Sequence, residues 1–156
     1  MSKRKYSNIG EKRLSNSKVL LMHGVVFDVN VLVSGLIVKG KPWELWLKAE
    51  ANEFNLLISS EIISEFLVVI SRRKFERYIT ENDIREFLDA LHQTAKMTKI
   101  KSTFKVVKAD PADDVILRTA YDGEADYIVS GDNHLLSLGE FRGIRIMTVD
   151  EMLNMF

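Results

Sequence analysis

The sequence predicts an α/β domain built on a mostly parallel sheet, and three observations carry that prediction. Short apolar runs that suit strands alternate with longer stretches that suit helices, the pattern of strand–helix–strand crossovers. At 156 residues, with 46% hydrophobic and 28% charged residues, the chain is sized for one domain with a full core. Four carboxylates, Asp28, Glu65, Asp114 and Asp132, stand where strands end or where the adjoining helices begin. In an open parallel sheet the strand ends share one crevice, and ligands bind there.

Val19 to Phe27 reads as the first strand, with His23-Gly24 weakening its middle. A short apolar helix over Val31 to Val38 ends at the Gly40-Lys41-Pro42 turn, and Pro42 suits the first turn of a helix reaching Ala51. Phe54 to Ile58 is a compact buried strand, after which Ser60 is expected to cap a helix to about Ser71. Thr80 with Asp83 resembles a capping box and opens a helix to about Lys96, with Ile84, Phe87, Leu88 and Leu91 on one face. Met97 to Ile100 and Phe104 to Val107 carry weaker strand patterns. The turn Asp110-Pro111-Ala112-Asp113-Asp114 starts a helix through Ala120 that stops near Gly123. Tyr127 to Ser130 is a strand, Asn133 to Leu138 a short helix and Ile144 to Thr148 a last strand, with Asp150 capping a terminal helix.

The acids differ in how much each says. Asp28 closes the run Val25-Val26-Phe27, and Asn30 two residues on is placed to orient it or to form the turn. Glu65 is the only charge among eight apolar or small neighbours in Ile62 to Ile70, so it needs a partner or a narrow polar face. Asp113 and Asp114 both suit a first helical turn; Asp114 is the metal candidate and Asp113 a cap or supporting residue. Asp132 follows Ser130-Gly131, where glycine lets the backbone bend beneath an ion. Asp126 precedes its strand and belongs at the opposite end. Acids gathered at one crevice repel by about 4 kcal/mol per pair at ~4 Å and an effective dielectric of ~20. A hard divalent cation bound through oxygen relieves that repulsion.

Composition narrows the setting. The absence of cysteine excludes disulfides and thiolate metal sites. No apolar run approaches the ~20 residues of a membrane helix, and the first residues lack the apolar core of a signal peptide, so a cytoplasmic protein is expected. The zero net charge is unevenly spread: residues 1–18 hold six basic groups against Glu11 alone, leaving −5 on the remainder. Residues 1–21 are therefore expected to be a basic extension, a disordered tail or an arm for nucleic acid, ahead of a single domain over 22–156.

Four segments, in order, are similar to the PIN domain family, especially its toxins of toxin–antitoxin pairs: Val26 to Ser34, Ser59 to Phe66, Asp110 to Asp114, and Ala125 to Asp132. The resemblance implies a three-layer α/β/α sandwich and a metal-dependent endoribonuclease that hydrolyses RNA phosphodiester bonds in an acidic pocket holding Mg²⁺ or Mn²⁺. It places the family's acidic positions on Asp28, Glu65, Asp114 and Asp132 and its polar neighbours on Asn30 and Ser130. Asp28 and Asp114 would bind the ion directly, with Asp132 and Glu65 completing the site. The chain departs from the family where Asn133-His134 follows Asp132 in place of the frequent Lys. An antitoxin protein and a homodimer are further implications.

An acidic pocket needs basic groups at its rim to hold a phosphodiester. Arg72, Arg73, Lys74 and Arg77, interleaved with Phe75 and Tyr78, are the candidate nucleic-acid patch; a solvated helix end is the plainer reading. Trp43 and Trp46, three residues apart, suit a core or dimer face better than base stacking. The competing functional reading is a PIN-like module that binds RNA or protein without cutting. Aspartate phosphatases and phospho-acceptor domains fit less well, since Asn30 stands where the former need a second Asp and no Lys ends the late strand.

Overall fold

Six strands, β1 (Gly24–Phe27), β2 (Asn55–Ile58), β3 (Lys96–Met97), β4 (Tyr127–Val129), β5 (Glu140–Phe141) and β6 (Ile144–Met147), form one sheet ordered β3-β2-β1-β4-β6-β5 in the computed structural model, which describes residues 22–156. The basic extension over 1–21, and with it the start of the expected first strand, lies outside the described residues. All pairings are parallel except β5 with β6. The helices are α1 (Val29–Val38), α2 (Lys41–Glu50), α3 (Ser60–Ile70), α4 (Glu81–Thr94), α5 (Pro111–Asp122), α6 (Asn133–Leu136) and α7 (Val149–Leu153), with a 3₁₀ turn at Arg73–Phe75. None of them is long and apolar enough to cross a membrane.

The chain leaves β1 in one direction, to β2 and β3, and α5 then carries it back past β1 to β4. Right-handed crossovers in opposite directions put helices on opposite faces of the sheet. Burial agrees: consecutive residues Val25, Val26 and Phe27, and likewise Leu56, Leu57 and Ile58, are all buried, which requires cover on both faces. The strand order therefore reverses between β1 and β4, whose carboxyl ends flank the crevice. Register fixes what meets there: Phe27 pairs with Val129 and the Asp28 amide donates to Val129 O at 2.9 Å, bringing Asp28 level with Ser130. Trp46 is buried against Phe87, and Phe87 against Phe66, so this tryptophan belongs to the core.

Several element ends differ from expectation for identifiable reasons. Ser59, not Ser60, caps α3: it is the last extended residue, and its Oγ accepts from the Ile62 amide at 3.3 Å. Thr148, not Asp150, caps α7 in a reciprocal box with Glu151, leaving Asp150 in the first turn. The expected capping box of Thr80 and Asp83 is formed. Phe104 to Val107 is not a strand: Asp114 and Arg118 of α5, rather than a neighbouring strand, take the Val106 and Val107 amides and the Phe104 carbonyl. The small β5–β6 hairpin, too short to show a periodic pattern, was not expected.

A candidate metal site at the switch point

Five carboxylates, Asp28, Glu65, Asp110, Asp113 and Asp132, line a cavity of about 180 Å³ together with Asn30 and Arg72. Each arrives by a different local device. Asp28 is the residue at which β1 becomes α1, and it is buried. Its Oδ2 accepts from Ser130 Oγ at 2.7 Å, while the Asp132 amide donates to that same oxygen of Ser130 at 2.9 Å. Ser130 thus ties the ends of β1 and β4 together. Asp132 caps α6, accepting from the His134 amide at 2.6 Å. Asp110 caps α5 by accepting from the Ala112 amide at 3.0 Å. Glu65 sits half-buried on α3 and faces the cavity from the β2 side.

The adjacent pair Asp113 and Asp114 is divided by helical geometry. Successive helix residues point about 100° apart, so both cannot face one crevice. Asp113 shares the inward stripe of Ile116, Leu117 and Ala120, all buried, and at the first turn that stripe meets the strand ends. Asp114, expected as a direct metal ligand, is buried elsewhere: its Oδ1 accepts from the Val106 and Val107 amides at 2.8 and 2.9 Å. Side chains on the same face of α5 as Asp114 do similar work four and eight residues on. Arg118 donates to Phe104 O at 2.6 and 2.8 Å, and Asp122 accepts from the Lys101 and Ser102 amides at 2.8 and 2.9 Å. Residues 114, 118 and 122 clasp the irregular segment 101–107 against α5. Those amide donors hold the Asp122 carboxyl below its ordinary value despite partial burial.

The electrostatics of the cavity are unbalanced. Asp113 Oδ2 is buried with no hydrogen-bond partner, at 4.0 Å from His134 Nδ1. Burial, then the neighbouring charges of Asp132, Asp110 and Asp28, push the Asp113 carboxyl up to about 7. Burial also raises Asp28, against the Ser130 hydrogen bond. A buried carboxylate without a partner is costly, and either a proton or a cation resolves it. One ligand atom each from Asp113, Asp132 and His134 lies within 4.8 Å of the others. Carboxylate oxygens predominate, as hard cations such as Mg²⁺ or Mn²⁺ require, and the exposed His134 stands at the edge. The residues present therefore fit a divalent cation.

Of the basic patch, Arg72 lines the cavity, whereas Arg73, Lys74 and Arg77 are exposed beyond it, with Lys74 over the Phe75 ring. Asp126 lies at the far end, accepting from the Gly24 amide at 3.0 Å. Two cavity residues carried little weight in the sequence: Asp110, whose Asp-Pro pairing signals a helix cap, and Asp113, whose phase with Ile116 and Ala120 is legible once α5 is drawn. Ser130→Ala would leave Asp28 Oδ2 and the Asp132 amide without their shared partner. It is expected to cost ~1–3 kcal/mol, read as a lowered Tm of the metal-free protein; an unchanged Tm would mean that solvent replaces the hydroxyl.

No curated protein matches the chain. Among solved structures it is similar to a chain of VapBC2 from Rickettsia felis, determined bound to a DNA fragment from the promoter, with a TM-score of 0.57 at 12% identity. The alignment covers 80% of this chain and 98% of that one, and at such identity the likeness concerns the fold. A family model described as the PIN domain matches residues 24–134, a stretch that includes all five carboxylates of the cavity. With well over half of its length matched, the chain belongs to the PIN domain family.

Proposed function

We propose that this protein is a metal-dependent endoribonuclease and the toxin of a toxin–antitoxin pair. The observation that carries the reading is Asp113 Oδ2, buried and unpartnered among four other carboxylates in an open cavity at the switch point. Asp28, Asp113 and Asp132 would hold Mg²⁺ or Mn²⁺, with Glu65 across the cavity from them. When bound, such an ion supplies Lewis-acid stabilisation of phosphoryl charge and an acidified water. The rest is the work of side chains. Ser130 orients Asp28 and Asn30 stands at the cavity wall, while Arg72, with Arg73, Lys74 and Arg77 beyond it, attracts the phosphodiester that the carboxylates alone would repel. Asp114 holds the Val106 and Val107 amides against the start of α5.

The partner reading rests on family membership and on a second cavity of about 290 Å³ between α1, α2 and α4, walled by Leu36, Ile37, Trp43, Trp46, Tyr78 and Phe87. An amphipathic helix of a small antitoxin fits such a groove. A homodimer and a cytoplasmic setting complete the proposal.

The deciding experiment is cleavage of structured and single-stranded RNA by the purified protein in Mg²⁺, Mn²⁺ or EDTA. Cutting that needs the ion supports the proposal. RNA binding without cutting in any metal would replace the enzyme with a non-catalytic binding module.

A further inference from the structure

The acid cavity has a neighbour. On the other side of Asn30 and Ser130, a cleft of about 340 Å³ opens between the start of α1, the α1–α2 turn and the β6–α7 junction. Asn30 lines both cavities, and Ser130, on the wall of the cleft, touches Asp28. Whatever occupies the cleft therefore lies one short step from the carboxylates. Its volume falls within the ~300–1,000 Å³ of small-ligand sites. Val31, Pro42 and Val149 give it apolar walls suited to a flat ring. Ser130 is committed to Asp28 and the Asp132 amide, but the Asn30 and Ser34 side chains have no hydrogen-bond partner among the described residues. They are available to hydroxyls. At the mouth, Lys41 makes an exposed pair with Asp150 at 3.0 Å. Such a pair is weak and screened, so a phosphate can draw the ammonium away.

Apolar walls, free hydroxyl and amide groups and a cation at the rim together match one ligand class, a nucleoside with its phosphate. We infer that this cleft is a subsite for the nucleotide next to the phosphodiester held at the carboxylates. The inference rests on the nuclease reading for its biological sense, but the cleft can be tested without it. Gly131 supplies the means: a Cβ added there meets no atom within 4 Å, and its backbone lies outside the left-handed region that would strain a side chain. Gly131→Leu should therefore fill the cleft without disturbing the fold. Ser34→Leu fills it from the opposite wall.

The test is an NMR titration of ¹⁵N-labelled protein, in Mg²⁺, with uridine and adenosine 5′-monophosphates and with inorganic phosphate. Saturable shifts of the Asn30, Ser34 and Gly131 amides with the nucleotides and not with phosphate are expected. Both leucine variants should weaken them at least tenfold while the Mg²⁺-induced shifts at Asp113 persist. On single-stranded RNA the same variants should raise KM by a similar factor. Absence of nucleotide shifts in the cleft, or leucine variants that bind nucleotide and cut RNA as the parent does, would overturn the subsite and leave the nuclease standing. Nucleotide binding in the cleft of a protein that cuts no RNA would support the subsite while removing the nuclease.

Discussion

Asp113→Asn is expected to abolish metal-dependent cleavage, whereas Asp114→Asn, one residue away, retains most of it. The contrast follows from where the two side chains go. The Asp113 oxygen is unpartnered in the acid cavity, so replacing it with an amide removes a cation ligand and nothing else. A loss of at least ~100-fold in kcat is expected, since groups that merely support metal ligands already cost 10–100-fold. The Tm gain on adding Mn²⁺ should vanish as well. The metal-free Asp113→Asn protein should melt higher than the parent, because an unpaired buried charge has gone. Asparagine at 114 keeps a carbonyl oxygen for the Val106 and Val107 amides, so the clasp survives. Alanine does not, and Asp114→Ala should lose ~1–3 kcal/mol for each amide left unpartnered. If Asp114→Asn lost the ion while Asp113→Asn kept it, the assignment of the two acids would be reversed.

The second large effect is a linkage between pH, cation and stability. Asp113 and Asp28 bind protons more tightly in the folded protein than in the unfolded chain, where the reference value is 3.8. Between that value and about 7 the folded state therefore holds more protons, and the contribution of these groups to stability falls as pH rises through the window. Metal-free protein should melt progressively lower as the pH is raised from about 5 to about 8. A divalent ion competes with those protons, so its stabilisation should be small at the acid end and full at the alkaline end. There it should reach ~2.7 kcal/mol when the ion is at 100 times its Kd. Asp113→Asn should flatten both trends. Thermal melts across pH with EDTA or Mg²⁺ decide it, and an equal metal shift at both ends of the range would sink the argument.

The parts of the fold legible in the sequence are those set by local periodicity. Val25-Val26-Phe27 and Leu56-Leu57-Ile58 are apolar runs too short for helices, and the Thr80–Asp83 box marks a helix start from four residues. Caps offered in tandem were ambiguous: at Ser59-Ser60 the choice depends on which residue is the last extended one, which β2 decides through its parallel pairing with β1. The strand expected over Phe104 to Val107 is absent for a related reason. Its apolar residues suit a strand, but the Val106 and Val107 amides are taken by Asp114 of α5 rather than by a neighbouring strand. The direct ligand was expected at Asp114, with Asp113 only supporting it, although both satisfy a first helical turn. Only the phase of α5 against the sheet separates them, and that phase could have been read from Ile116, Leu117 and Ala120.

The clasp along α5 also sets how the molecule comes apart. Four amides of a segment with no regular structure, those of Lys101, Ser102, Val106 and Val107, are each held by a carboxylate rooted in one helix. A loop bonded to its own neighbours opens alone, whereas opening this one breaks bonds to side chains anchored on α5. Hydrogen exchange at those four positions should be as slow as in α5 and should respond together with it to denaturant. The chain between β3 and α5 would then unfold as part of the helix it wraps, despite lacking helix or strand of its own.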